Sequence, residues 1–315
     1  MMEVHTALPR ITLLLVLVLP VACGPSEATP GSAEDSLPST AALAAPGPDI
    51  VLADLVGHGT DLRLENALNV TERPGYDNQP AFTPDGGTLL YTQGTSDGRT
   101  DIIRYDLATG TRSALHPSPG TSEYSALVHP DGSGVVVVRV EPDSTQRLWL
   151  LSEGGEDVLL PDLKPVGYHA WVDVSHVALF VLGNPATLQL ADPTTGTTRV
   201  MAERIGRSLQ RLPGRRAISF TAVPDSVAWI RVLDVDEGST RDLVPALEGS
   251  EDHAWTPDGT LIMGRGSVLY ARSTDVDGTW RQIADLSELG SNITRIAVHP
   301  QGTHIAIVLE PARER

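Results

Sequence analysis

The sequence has little cysteine, little positive charge and few long apolar-periodic runs, and each shortage excludes something. Cys23 is the only cysteine in 315 residues, so no internal disulfide forms and no thiolate cluster can hold a metal. Lys and Arg number 23 against 40 Asp and Glu, a net charge of -17. That balance repels phosphate backbones and anionic lipid, so no nucleic-acid partner is expected. After the first 22 residues, runs with helical periodicity are scarce, while 29 Gly and 24 Pro mark many turns. With 41% hydrophobic residues the chain still has a core to bury, and a β-rich, turn-rich domain is the expectation.

The amino terminus stands apart. Arg10, the apolar run ITLLLVLVLP and the small-residue segment VAC have the layout of a secretory signal, so residues 1–22 are read as a signal peptide. The run is too short to span a membrane comfortably. Cleavage before Cys23 would leave that thiol at the new terminus, which resembles a bacterial lipoprotein signal and implies lipidation of Cys23. Pro20 departs from the leucine usual at that place in such signals. Residues 23–47, rich in Pro, Ser, Ala and Gly and without an aromatic residue, bury too little to order themselves and are read as a flexible linker. The expected location is exported, on the periplasmic or cell-surface side of a membrane held through a lipid anchor only.

What the chain does have is an internal period. AFTPDGGTLLYT (81–92) returns as LVHPDGSGVVVV (127–138), AWTPDGTLIMG (254–264) and AVHPQGTHIAIV (297–308), with weaker copies at 170–181 and 210–221. Taking Phe82, Val128, Trp171, Arg211, Trp255 and Val298 as equivalent anchors, the steps are 46, 43, 40, 44 and 43 residues. Each copy reads as strand, Pro-Asp-Gly turn, strand, then a third strand and a turn to a fourth. Four strands in about 43 residues make a propeller blade. The last copy has two strands, and residues 49–71 have strand character without the hairpin, so they are expected to complete it. The expected fold is all-β: a six-bladed β-propeller of four-stranded blades over residues 48–311, its ring closed by N-terminal strands joining the C-terminal blade, with 312–315 as a tail.

With FTPDG, VHPDG, WTPDG and VHPQG in view, residues 49–311 resemble the bacterial six-bladed propellers built of TolB-type, WD40-like Pro-Asp repeats. The resemblance is specific for fold and weak for activity. TolB carries an α/β domain before its propeller, and the linker stands in that place here, so a Tol-system role is not implied. Similar propellers precede hydrolase domains in prolyl peptidases; no such domain and no nucleophile elbow is expected in this chain, so that chemistry is not implied either.

In a propeller the inner strands line a channel, and ligands collect at its funnel. Three places before the anchors stand Gln79, Ser125, Tyr168, Ser208, Asp252 and Arg295; four places before stand Asn78, Tyr124, Gly167, Arg207, Glu251 and Thr294. Of these, Asn78, Gln79, Tyr124, Tyr168, Arg207, Glu251, Asp252 and Arg295 are the candidate ligand-binding residues. His169 and His253 join them from the triplet His-Ala-Trp, which occurs twice, two repeats apart. Alternation along a strand puts each His on the face of its Trp and opposite the Ala, as expected of blade-to-blade packing with one ring nitrogen bonded to backbone. Two repeats are about 120° of a six-bladed ring, too far apart for joint metal ligation, and neither acidic loop (152–158, 234–242) has calcium-ligand spacing, so no metal and no cofactor is expected.

The leading reading is a non-enzymatic binding or protein-interaction module at the cell envelope, taking an envelope protein, a peptide or a small polar ligand at its channel mouth. The alternative is a carbohydrate-active, lyase-like enzyme using Glu251, Asp252, His169, His253 and an arginine in the same funnel. A third reading, a structural envelope scaffold, would place binding on blade edges.

Overall fold

The computed structural model describes residues 46–223, 227–275 and 278–312. The expected signal peptide, Cys23 and the linker up to residue 45 lie outside the described residues, as do 313–315.

Six four-stranded antiparallel sheets form around a ring. Blade one holds Asp77–Phe82, Thr88–Gly94, Thr100–Asp106 and Arg112–Ala114. Blade two holds Ser122–Val128, Val135–Val140, Gln146–Ser152 and Gly155–Leu159. Blade three runs through Val166–Asp173, His176–Val181, Thr187–Asp192 and Thr197–Glu203, and blade four through Ile205–Arg211, Ala217–Ala222, Trp229–Asp234 and Ser239–Pro245. Blade five has a first strand of three residues, His253–Trp255, followed by Leu261–Arg265, Val268–Arg272 and Arg281–Asp285. Blade six joins Asn292–Val298 and His304–Glu310 to Asp49–Val56 and Arg63–Asn69 from the other end of the domain.

The ring closes where Asp49–Val56 pairs with His304–Glu310 in continuous register from Asp49 opposite Leu309 to Asp54 opposite His304. That pairing hides the edge the last hairpin would otherwise expose.

The repeated turns explain the repeat. In the first, Thr83 Oγ1 donates to Asp85 Oδ1 at 2.6 Å and the Gly87 N–H donates to the same oxygen at 3.1 Å. Gly86, Gly132, Gly259 and Gly302 all take φ between 70 and 86°, the left-handed region that glycine enters without steric cost. In the second blade His129 replaces the threonine, its Nδ1 lying 2.6 Å from Asp131 Oδ1.

Apolar side chains fill the spaces between blades. Among the described residues six buried clusters form, one at each junction: Leu90 and Ile102 of blade one meet Val135 and Val137 of blade two, and Ile50 and Val308 of blade six meet Leu89 and Tyr91 of blade one. Contact there is close. A Cβ placed on Gly264 of blade five would lie 2.6 Å from Ile293 Cγ2 of blade six.

Candidate functional site

The first strands of neighbouring blades adjoin one another all the way round. They enclose a cavity of about 330 Å3 whose wall draws on all six blades: Gln79 to Phe82, Ser125 to Val128, Tyr168 to Trp171, Arg207 to Arg211, Asp252, and Arg295 to Val298. An adjoining space of about 280 Å3 shares Tyr168, Arg207 and Arg295 with it and adds Tyr76, Asn78 and Thr294.

The row three places before the anchors is largely engaged in holding blade to blade. Gln79 Oε1 accepts from the Ser125 N–H at 2.8 Å, from Ser125 Oγ at 3.2 Å and from Thr92 Oγ1 at 3.1 Å. Ser208 Oγ accepts the His253 N–H at 3.2 Å, and Asp252 Oδ2 accepts the Ile296 N–H at 2.7 Å. All but the Thr92 bond, which stays within blade one, cross from one blade to the next. They are possible because the inner strands bulge here: register shifts between Asn78 and Ala81 and between Tyr124 and Leu127, where Gln79 and Ser125 adopt φ of 55 and 53°. Asn78 is turned along its own strand, its Oδ1 accepting the Gln79 N–H at 2.7 Å.

The mouth gathers aromatic hydroxyls and guanidinium groups. Arg295 donates to Tyr168 Oη at 2.9 Å while its Cζ lies 5.1 Å from the centre of the same ring, a hydrogen bond and a cation–π contact across the channel from blade six to blade three. Arg207 Nε lies 3.2 Å from Glu251 Oε2, and its backbone N–H donates to Glu251 Oε1. Burial, reinforced by the neighbouring Tyr168 hydroxyl, pushes Tyr76 up to about 12, so it stays a hydrogen-bond donor. Burial also raises the Asp252 carboxyl, opposed by the Arg295 charge. For Arg295 burial is the largest single influence and pulls downward, but the Asp252 charge, Tyr168 and the Glu251 charge together outweigh it and the net shift is upward. The mouth therefore pairs Arg207 with Glu251 and sets Arg295 within electrostatic reach of Asp252. Tyr124, like Tyr168, is half-buried and lies within electrostatic reach of Tyr76.

The two His-Ala-Trp triplets occupy one slot in different company. His and Trp rings stand 6.4 Å apart at 88° in blade three and 6.3 Å apart at 90° in blade five. Both histidines are buried, at 5% and 0% exposure, and burial holds each down to about 3, so both are neutral. In blade five every ring nitrogen is partnered by blade four. His253 Nδ1 meets Ser208 Oγ at 2.9 Å, His253 Nε2 meets Ser219 Oγ at 2.7 Å, and Trp255 Nε1 donates to Ser219 Oγ at 2.7 Å. The expectation of one ring nitrogen on backbone is corrected: serine hydroxyls hold both. In blade three, His169 Nδ1, His169 Nε2 and Trp171 Nε1 meet no hydrogen-bond partner among the described residues.

Ser208 and His253 have the spacing of a nucleophile and its base, which the sequence did not reveal. Their environment argues against that role. A base held near 3 by burial retains no proton at neutral pH, and no carboxylate bonds the ring to stabilise its cation. Gly94 to Gly98 does carry the G-x-S-x-G spacing, contrary to the expectation that no elbow sequence is present; it forms the turn between two antiparallel strands, with Thr95 N–H bonded to Arg99 O, not a strand-to-helix elbow. Among the described residues no three His, Cys, Asp or Glu side chains cluster as metal ligands. Ser219 was missed because it lies in the second strand of the preceding blade. Its only signal was a lone serine inside the apolar run AISF.

No family model and no curated protein matches the sequence. Solved structures do. The chain is similar to a protein described as a TolB from Agrobacterium tumefaciens, at 17% identity over 84% of this chain and 98% of that one, with a TM-score of 0.66. It is similar also to TolB from Acinetobacter baumannii (14% identity, 85% and 65% of the two chains, TM-score 0.55) and to a gluconolactonase from Xanthomonas campestris (11% identity, 85% and 98%, TM-score 0.56). At such identities the likeness speaks for fold alone, and that fold is the six-bladed propeller of the TolB type.

Proposed function

We propose that the chain is an exported, lipid-anchored propeller that serves as a binding or interaction module at the cell envelope, receiving a partner's peptide segment or a small polar ligand at its channel mouth. The observation that carries the reading is the convergence of six blades on one cavity of about 330 Å3, rimmed by Tyr168, Arg207 and Arg295. The similarity in fold to TolB propellers supports it. Export and lipidation rest on the signal layout before Cys23. The lyase-like alternative loses one of its candidate bases, because His253 has both ring nitrogens held by serines.

The test compares a mouth variant, Tyr168→Ala with Arg207→Ala and Glu251→Ala, with an outer-strand variant, Leu68→Ser with Arg63→Ala. Each is immobilised, exposed to a cell-envelope extract, washed and eluted for mass spectrometry of proteins and small molecules. The mouth variant is expected to lose a species that the outer variant and the native chain retain. Retention by the mouth variant, or loss by the outer variant, contradicts the assignment.

A further inference from the structure

The chain contains its own control for the His-Ala-Trp slot. In blade four, Ser219 pairs with Gln210, the residue before the anchor; in blade two, the residue before the anchor, Leu127, pairs with Val136. Val136 thus stands where Ser219 stands, and Trp171 packs in the same cluster as Val136. Ser125 corresponds to Ser208, but it sits in the left-handed bulge and its hydroxyl is turned to Gln79 Oε1. Blade two therefore withholds both hydroxyls that blade four supplies, and the ring pair of blade three is left with three unpartnered nitrogens.

The partnerless pair is also the pair on the channel. His169 and Trp171 line the cavity, whereas His253 and Trp255 are not among its lining residues. An unpartnered polar atom this deeply buried is costly unless something bonds it, and the cavity is the open space that these two residues border.

We propose that His169 is the recognition group of a subsite, within the channel proposed above as the ligand site, for an uncharged polyhydroxylated molecule such as a sugar or polyol. Three observations select that chemistry. The partners of the equivalent rings in blade five are hydroxyls, on Ser208 and Ser219. The His169 ring is neutral, able to donate at one nitrogen and accept at the other, as a hydroxyl requires. Two of the arginines at the cavity have an acid nearby, Arg207 with Glu251 and Arg295 with Asp252, and the Arg295 guanidinium and the Asp252 carboxyl group offer polar partners for further hydroxyls. About 330 Å3 is at the small end of ligand pockets, room for one small molecule. The inference is of binding, without turnover.

The experiment is a titration of the full chain, labelled with 15N at histidine, with glucose, maltose and xylitol, and with acetate as the charged control. At least one polyol is expected to shift the His169 ring resonances and leave those of His253 in place. Affinity for it should fall at least tenfold in His169→Phe and recover in part in His169→Gln, with melting temperature confirming that each variant folds. If no polyol moves the His169 ring, or if His169→Phe binds as the native chain does, the inference is overturned. Should that happen while the mouth variant still loses its captured species, the channel reading stands and only the polyol assignment falls. If the mouth variant loses nothing either, both fall.

Discussion

At the scale of single residues, the comparison between the two His-Ala-Trp triplets makes hydroxyl placement measurable. Ser219→Val would strip the partner from His253 Nε2 and Trp255 Nε1 together and should cost about 2–6 kcal/mol, since each buried orphan costs about 1–3 kcal/mol. The reciprocal change, Val136→Ser, buries a hydroxyl where His169 Nε2 and Trp171 Nε1 lack one, so it should cost under about 1 kcal/mol despite the lost methyls. Urea denaturation of both variants checks the asymmetry; equal losses would contradict it. The spacing and facing of His169, Trp171, His253 and Trp255 could be read from alternation along a strand. Their partners could not, because Ser219 reaches His253 across a blade junction whose register no local pattern encodes.

At the scale of the strand and blade, the Pro-Asp-Gly turns announced the hairpins because only glycine takes their left-handed corner cheaply. The bulges at Gln79 and Ser125 were not legible: neither residue type advertises a positive φ, and it is the bonds to Gln79 Oε1 that hold them there. Those bonds also show why a polar row read as a funnel turned out, at Gln79, Ser208 and Asp252, to be tied into the wall. Two elements invite direct tests. Gly264→Ala pushes a methyl to within 2.6 Å of Ile293 on the next blade and should cost about 1–3 kcal/mol, read by thermal and chemical denaturation. Deleting residues 1–57 removes Asp49–Val56 and bares the edge of His304–Glu310, so the truncated chain should associate, seen as early elution on size exclusion, while a chain beginning at Ala45 should remain dispersed.

At the scale of the whole molecule, six apolar junctions make a closed ring, so acid acts on it through a few buried titratable groups. His169 and His253 are held down to about 3 from an ordinary 6.5, and the unfolded chain therefore takes up protons that the folded one refuses. Their contribution is complete above about pH 6.5 and is lost as pH falls toward 3, at about 1.4 kcal/mol per pH unit for each ring. Asp77, Glu123 and Asp252, raised by burial, act with the opposite sign, since they protonate sooner in the folded state as pH falls. His169→Phe should accordingly reduce the slope of stability against pH by about 1.4 kcal/mol per unit between pH 6 and 4. An unchanged slope would mean that His169 is not held neutral.

Architecture was legible at this scale because the period recurs six times, each copy reinforcing the next. Ligand identity was not, because the cavity is assembled from residues some 43 positions apart in sequence. The most direct measurement of the central claim is photo-crosslinking in intact cells, with benzoylphenylalanine replacing Tyr168 at the channel mouth or Leu68 on the outer strand, which is 63% exposed. An adduct that forms at position 168 and is absent at position 68 is the predicted result. Adducts at position 68 with none at 168 would place the working surface on the blade edge and contradict the account.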